Sequence, residues 1–111
     1  MDFNKLSRKY FDVWNTHNIE ELSSLFSKDS CLRDWNINVS NKKNVLDANQ
    51  KIFDDVPNIS AEIVNLHISE KTMSVSAEII VHIDDNTKIK VVDIITFNSE
   101  GLIKSIRAYQ G

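Results

Sequence analysis

Asp93 has the setting in this sequence that most clearly suggests chemistry. It lies in the middle of an apolar stretch with the pattern of a β-strand, Ile89-Lys90-Val91-Val92-Asp93-Ile94-Ile95-Thr96-Phe97. Alternate side chains of a strand share a face, so Asp93 should point the same way as Ile89, Val91, Ile95 and Phe97. A buried carboxylate without a partner keeps its proton, because burial raises its pKa. Such a neutral acid is a hydrogen-bond donor for a ligand oxygen.

A structural role for Asp93 is the competing interpretation. Its carboxylate could form an ion pair with Arg107 or Lys90, or accept a hydrogen bond from a neighbouring backbone amide. The apolar flanks of Asp93 favour the functional interpretation. The two interpretations differ in a measurable property, since a raised pKa of Asp93 supports the donor role and an ordinary pKa removes it.

Other kinds of site find little support in the sequence. His17, His67 and His82 lie at a helix corner and on two separate predicted strands, and no pair has the spacing of metal ligands. The single cysteine, Cys31, excludes a disulfide within the chain and is expected to be a small core residue. Only two glycines are present, so there is no Gly-rich phosphate loop. We therefore expect neither a metal ion nor another cofactor.

Three helices are predicted in the first half of the chain. Apolar residues recur at three- and four-residue steps from residue 2 to about residue 16, as in an amphipathic helix. Asn18 has the character of an N-cap, so a second helix should begin there and end at residues 28–30. A short strand at about residues 31–35 and a polar turn lead to a third helix, at about residues 42–53.

Everything after Pro57 is predicted to be strand. Apolar and polar residues alternate in four segments, and turn residues separate the last three: 59–69, 73–83, 88–98 and 102–109. Helices ahead of a long antiparallel meander indicate an α+β fold. If the sheet curls around the helices, it forms a cone whose apolar interior suits a hydrophobic small molecule.

Composition and charge limit the partners of the protein. The 111 residues are enough for one domain and too few for two, so residues 1–111 are expected to form a single domain. The net charge is −3 and the basic residues are scattered, which argues against binding nucleic acid. The N-terminus lacks the apolar run of a signal peptide, and no segment is long enough to span a bilayer. We therefore expect a cytoplasmic protein without a membrane partner.

Several passages of the chain resemble the nuclear-transport-factor-2-like (NTF2-like, SnoaL-like) superfamily, and within it the ketosteroid isomerase branch most closely. These are Asn15-Thr16-His17-Asn18-Ile19-Glu20, Phe26-Ser27-Lys28-Asp29-Ser30-Cys31-Leu32-Arg33-Asp34, Asp93-Ile94-Ile95-Thr96-Phe97-Asn98-Ser99-Glu100-Gly101 and Ser105-Ile106-Arg107-Ala108-Tyr109. The similarity covers nearly the whole chain. It implies a cystatin-like cone, in which three N-terminal helices pack on a curved, mostly antiparallel sheet, and a homodimer packed through the exposed face of that sheet.

The resemblance extends to three positions that carry catalysis in ketosteroid isomerases. The family's general base is an aspartate that closes the short strand after the second helix, where this chain has Asp34. Its two oxyanion donors are a tyrosine of the first helix and a protonated aspartate of the penultimate strand, where this chain has Tyr10 and Asp93. The resemblance thus implies a cofactor-independent isomerase that moves a proton on a hydrophobic enolisable ketone through a dienolate.

Asp34 and Tyr10 carry weak signals when the resemblance is set aside. Asp34 follows Arg33 at the end of a strand, where a solvated turn carboxylate is as good an interpretation as a base. Tyr10 lies on the apolar stripe of the first helix, where a tyrosine is usually a core residue with its hydroxyl satisfied nearby. Only the combination with Asp93 promotes the two residues to catalytic candidates.

Two residues depart from the pattern of the ketosteroid isomerases. Trp35 follows the candidate base where family members often carry proline, and Asn49 stands where relatives often carry a tyrosine that supports the oxyanion donor. The pocket is therefore expected to admit a smaller or different ketone. Its expected lining includes Trp35, Val91, Ile95 and Phe53.

Two other functions stay open on the same cone. Relatives in the superfamily include polyketide cyclases, dehydratases and epoxide hydrolases, which use other sets of acids and bases. A non-catalytic domain that binds a small ligand or serves dimerisation is the third interpretation, and an ordinary pKa of Asp93 would favour it.

Overall fold

The computed structural model describes residues 1–111 and contains the three predicted helices. Helix α1 spans Phe3–Thr16, α2 spans Ile19–Ser23 and α3 spans Lys42–Asp55. In each case the side-chain oxygen of the preceding residue accepts a hydrogen bond from a backbone N–H of the first turn, and these N-caps are Asp2, Asn18 and Asn41. The polar residues at these boundaries thus set where each helix begins. No helix is long and apolar enough to cross a membrane.

Six strands form one sheet, which extends across the whole fold. They are β1 (Phe26–Arg33), β2 (Asn38–Ser40), β3 (Ser60–Ser69), β4 (Ser74–His82), β5 (Lys88–Phe97) and β6 (Ile103–Gln110). Their order in the sheet is β2-β1-β6-β5-β4-β3. Neighbouring strands are antiparallel except β1 and β6, which run parallel. The α+β fold and the mostly antiparallel sheet predicted from the sequence are confirmed.

The first part of the sheet differs from the prediction. Helix α2 ends at Ser23 rather than at residues 28–30, and β1 begins at Phe26 rather than at about Cys31. The reason is a tertiary contact: Phe26 pairs with Ile103 of the last strand, whose N–H donates to the Leu25 carbonyl at 2.8 Å. Pairing with a distant strand thus overrides the local helical pattern.

Two further predictions for this region were wrong. Cys31 lies exposed on β1 rather than in the core, because residues on either side of it turn their side chains inward. The segment Asn38–Ser40, expected as part of a polar turn, forms the edge strand β2 and pairs with β1. A three-residue edge strand has too few residues to show an alternating pattern.

The inner face of the sheet packs against the helices. On β4 and β5 the buried residues alternate with more exposed ones, and the inner set is Val75, Ala77, Ile79, Val81, Val91, Asp93, Ile95 and Phe97. The face predicted for Asp93 is therefore confirmed. The opposite face of the sheet is not covered by any helix, and we call it the outer face.

Helix α1 runs along the inner face in the direction opposite to β5. Near its beginning, the ring of Phe3 packs 5.7 Å from that of Phe97, at the end of β5. Near its end, the Asn15 side-chain amide exchanges two hydrogen bonds with the backbone of Ala61, at 2.9 and 2.7 Å. Ala61 pairs with Val81, which in turn pairs with Ile89 at the beginning of β5. These contacts at the two ends of α1 determine which of its side chains lie beside the end of β5 and which lie beside its beginning.

Candidate active site

A cavity of about 340 Å³ opens between the inner face of the sheet and helices α1 and α3. Of the 21 residues that line it, 17 are hydrophobic. The four polar lining residues are Asp34, Asn36, Asn49 and Asp93. An apolar cavity with a few polar groups at defined places is the usual form of a small-molecule site.

Asp93 reaches this cavity from the middle of β5. Its neighbours across the sheet are Ala77 on β4 and Ala108 on β6, whose small side chains leave space beside the carboxyl group. The side chain is 8% exposed and forms no hydrogen bond or ion pair with the protein. Arg107 pairs with Ile94, and Lys90 pairs with Ile80. Both therefore lie on the outer face, which excludes the two ion pairs considered above.

The protonation of Asp93 follows from this position. Burial, and secondarily the negative charge of Asp34, raises the pKa of Asp93 from 3.8 to about 7. The carboxyl group therefore holds its proton over most of the acidic range and exchanges it near neutrality. It can donate a hydrogen bond to a ligand oxygen or transfer its proton to it.

Tyr10 approaches the same cavity from α1. Its ring is 5% exposed and packs edge-on against Phe26, with the ring centroids 6.0 Å apart. No protein atom hydrogen-bonds to its hydroxyl group, although the residue lines the cavity. Burial, and secondarily the charge of Asp93, raises the pKa of Tyr10 well above 10, so the phenol remains a donor at any physiological pH.

Asp34 lies directly after β1 at the edge of the cavity. Its Oδ1 atom accepts hydrogen bonds from the backbone N–H groups of Asn36 at 2.7 Å and Ile37 at 2.6 Å, while its own N–H donates to the Ile37 carbonyl at 2.8 Å. This turn fixes the orientation of the carboxylate. No protein group hydrogen-bonds to Oδ2, which is therefore the oxygen available to accept a proton.

The structure therefore places the three predicted catalytic residues at one cavity. Of the four predicted lining residues, two line this cavity and two do not. Trp35 and Val91 line the cavity, and Trp35 is 47% exposed at its edge. Ile95 and Phe53 do not line it. Ile95 is fully buried in the core, two residues beyond Asp93, and Phe53 stacks on the ring of His17 at 4.2 Å.

A pair of polar residues at the cavity was not recognised as a unit in the sequence. The indole Nε1 of Trp14 on α1 donates to Oδ1 of Asn49 on α3 at 2.9 Å. Asn49 also donates from Nδ2 to the Val45 carbonyl at 2.9 Å. A signal was available, because Val45, Asn49 and Phe53 are spaced at four-residue steps on the buried face of α3.

This arrangement is suited to acid–base chemistry on an apolar molecule. The carboxyl group of Asp34, a carboxylic acid with a raised pKa (Asp93) and a neutral phenol (Tyr10) surround one cavity with hydrophobic walls. The structure contains no group of three or more His, Cys, Asp or Glu side chains arranged to hold a metal ion. The side chains of Asp34, Asp93 and Tyr10 can supply a proton acceptor and two donors.

Comparison with known proteins assigns the family. The family model of the SnoaL-like domain matches residues 7–106, which is most of the chain and includes Tyr10, Asp34 and Asp93. The chain belongs to this family. No curated protein matches this SnoaL-like chain in sequence.

Solved structures show the same fold for this SnoaL-like protein at low sequence identity. A SnoaL-like protein of unknown function from Burkholderia thailandensis has a TM-score of 0.85 and 14% identity, with 98% of this chain and 93% of that chain covered. A "putative ketosteroid isomerase" from Kribbella flavida has a TM-score of 0.83 and 18% identity, with 98% and 77% covered. The epoxide hydrolase/cyclase-like enzyme SalBIII has a TM-score of 0.77 and 19% identity, with 98% and 90% covered.

Proposed function

We propose that this SnoaL-like protein is a cofactor-independent enzyme that enolises a hydrophobic ketone, as ketosteroid isomerases do. One observation supports the proposal above all others. Asp93 and Tyr10 present a neutral acid and a neutral phenol, neither bonded to the protein, to the same apolar cavity as Asp34. Buried donors without partners cost free energy, so their retention here indicates a ligand oxygen as the partner.

The proposed reaction begins with the removal of a proton. Oδ2 of Asp34 takes a proton from the carbon next to the substrate carbonyl, and the electron pair of that C–H bond moves into the conjugated system. The carbonyl oxygen becomes the oxygen of a dienolate, to which Tyr10 and Asp93 donate hydrogen bonds. Asp34 then returns the proton to the γ-carbon, which gives the conjugated ketone and restores the carboxylate.

The surroundings explain why the donors would be effective. The cavity walls are largely apolar, and hydrogen bonds to a charged oxygen are stronger beside such walls than in bulk water. In well-studied enzymes, removing one donor of this kind costs about 3–4 kcal/mol of transition-state stabilisation, or roughly 100- to 1,000-fold in rate. Loss of either donor should therefore be plainly measurable.

The test is a spectrophotometric assay with β,γ-unsaturated ketones, both a steroid and a small cyclic ketone, that follows formation of the conjugated enone. We expect turnover in the wild-type protein, its loss in Asp34→Asn, and a fall of roughly 100-fold or more in Tyr10→Phe and Asp93→Ala. Asp85→Asn, which changes an exposed carboxylate in the turn between β4 and β5, is the matched control. Turnover that Asp34→Asn leaves unchanged would contradict the assignment of the base.

A second candidate function is cyclisation, dehydration or hydrolysis on the same cone. The turn at Asp34 favours this candidate, because two backbone amides hold Oδ1 of its carboxylate. A carboxylate fixed in this way transfers protons at one carbon atom more readily than at two. Deuterium exchange distinguishes the candidates. Isomerisation moves deuterium between the α- and γ-carbons of the ketone, whereas a base with a fixed orientation exchanges only the proton on the α-carbon.

A ligand-binding domain without catalysis is the third candidate. It shares the cavity but does not depend on a protonated Asp93. A carboxyl-specific NMR titration decides between this candidate and an enzyme, since an ordinary pKa of Asp93 would support binding alone.

The outer face of the sheet supports a proposal of homodimerisation. Apolar side chains occupy its middle, among them Val64, Ile80, Val92 and Tyr109. Arg33 and Arg107 are paired neighbours toward one edge, whereas Glu62 and Glu78 lie toward the other. A two-fold axis through the middle and parallel to the strands would place each basic edge on the partner's acidic edge. Sedimentation analysis of the wild type and of Val92→Asp tests this, and a wild-type monomer would contradict it.

A further inference from the structure

Asn49 contributes an amide group to the cavity that its protein partners do not fully satisfy. The indole N–H of Trp14 can only donate, so the Asn49 atom facing it must be the oxygen, which fixes the orientation of the amide. Nδ2 then carries two hydrogens, of which one goes to the Val45 carbonyl. The other N–H has no protein acceptor.

This unused N–H is buried at the wall of the cavity. Asn49 is 3% exposed, and the open space it borders is the cavity. Native proteins pair nearly all buried polar groups, because an unpaired one costs free energy. A ligand acceptor inside the cavity would remove this cost. Asn49 does not serve Tyr10 in this way, since no hydrogen bond joins the Asn49 amide to the Tyr10 hydroxyl.

The two sets of donors lie at different levels of the cavity. Trp14, which holds Asn49, follows Tyr10 by four residues on α1, and this corresponds to about 6 Å along the helix axis. Because α1 runs opposite to β5, this step leads from the level of Asp93 toward that of Val91. The wall between the two levels is apolar and includes Val91 and Ile79.

We propose that Asn49 donates a hydrogen bond to a second acceptor oxygen of the substrate, farther along the cavity from the oxygen held by Tyr10 and Asp93. The substrate class is therefore an enolisable ketone with an apolar body and a carbonyl, hydroxyl or ether oxygen on its far side. This proposal rests on the proposed function, because it takes the Tyr10 and Asp93 end of the cavity as the site of the reacting carbonyl.

Matched phenols test the proposal without knowledge of the substrate. Tetralinol, a phenol fused to a saturated ring, presents a hydroxyl group like that of a dienolate but has no second oxygen. The hydroxytetralones have the same bicyclic skeleton with a ketone in the saturated ring. Titration calorimetry with the wild-type protein and its variants measures the dissociation constants of tetralinol and of each positional isomer of hydroxytetralone.

We expect at least one hydroxytetralone to bind the wild type about 3- to 10-fold more tightly than tetralinol, as one neutral hydrogen bond allows. Asn49→Leu should abolish this gain, whereas Ile52→Val, which trims an apolar wall residue, should weaken both probes alike. The proposal is overturned if no isomer gains affinity or if the gain survives Asn49→Leu. Tyr10→Phe should weaken both probes equally. If Tyr10→Phe changes neither dissociation constant, the proposed function is contradicted. The comparison of the wild type with Asn49→Leu still tests the role of Asn49 in that case.

Asn49→Leu leaves the Trp14 indole without its acceptor, which could prevent folding. The double variant Trp14→Phe/Asn49→Leu removes the orphaned donor and repeats the test. A direct readout also exists in the wild type, where one side-chain amide proton of Asn49 should move downfield in the NMR spectrum on addition of the tighter hydroxytetralone. A resonance that responds equally to tetralinol would refute the assignment.

Discussion

Replacing Asp93 with asparagine should remove a large pH dependence from the stability of the protein. The pKa of Asp93 is about 7 in the folded chain against 3.8 for an unperturbed aspartate. Its proton is thus held more tightly in the folded state, and the contribution is fully present below about pH 4 and lost as the pH rises through about 7. A difference of about 3 pH units, at about 1.4 kcal/mol per unit, corresponds to roughly 4 kcal/mol.

Urea denaturation from about pH 4 to about pH 8 measures this effect. The wild-type free energy of unfolding should fall by roughly 4 kcal/mol over this range relative to that of Asp93→Asn, because asparagine has nearly the same shape and cannot ionise. Other titrating groups are common to both proteins, so they cancel in the difference. A loss of this size is a large part of the 5–15 kcal/mol typical of a domain.

The matched control is Asp12→Asn, which changes an exposed carboxylate on the solvent side of α1. Its free energy of unfolding should follow the wild-type profile within about 0.5 kcal/mol at every pH. If Asp93→Asn also runs parallel to the wild type, then Asp93 is ionised in the folded protein. That result would refute both its burial as a neutral acid and its role as a donor.

Three further predictions concern activity, core and helix caps. The kcat/KM of the ketone isomerase activity should decline as the pH rises through about 7, because Asp93 in the free protein loses the proton it donates, and the profile of Asp93→Asn should be lower and should not show this decline. Ile95→Ala should cost about 2–5 kcal/mol in urea denaturation and Ile95→Val about 1 kcal/mol, since this side chain is fully buried. Asn18→Ala should cost about 1 kcal/mol by removing the cap that bonds the Glu21 amide, and Asn18→Gly should cost less. Unchanged stability in either set would show that burial or capping was misjudged.

Local chemistry explains which parts of this fold could be predicted. The period of two along β4 and β5 places Asp93 on the inner face from sequence alone, and Asn18 identifies the beginning of α2. The beginning of β1 could not be found in this way, because it depends on the pairing of Phe26 with Ile103, 77 residues later.

The limits of prediction at the site have a similar cause. A strand pattern shows which face a residue lies on, but not how deep the cavity reaches along that face. Ile95 and Val91 therefore looked equivalent, although only Val91 borders the cavity. The unused N–H of Asn49 becomes visible only when its hydrogen bonds to Trp14 and Val45 are counted in three dimensions.

The position of β6 constrains when the protein can acquire its cavity during synthesis. β6 is the last strand in the chain, yet it lies between β1 and β5 and is the only link between them. During synthesis, β6 emerges from the ribosome after all the other helices and strands. β1 and β2 therefore cannot join the β3–β4–β5 meander in one sheet until β6 has emerged. Because Leu32 and Asp34 at the end of β1 border the cavity, the base cannot face the donors until β6 has left the exit tunnel. A nascent chain that pauses before β6 would leave one edge of β1 and one edge of β5 without a partner strand.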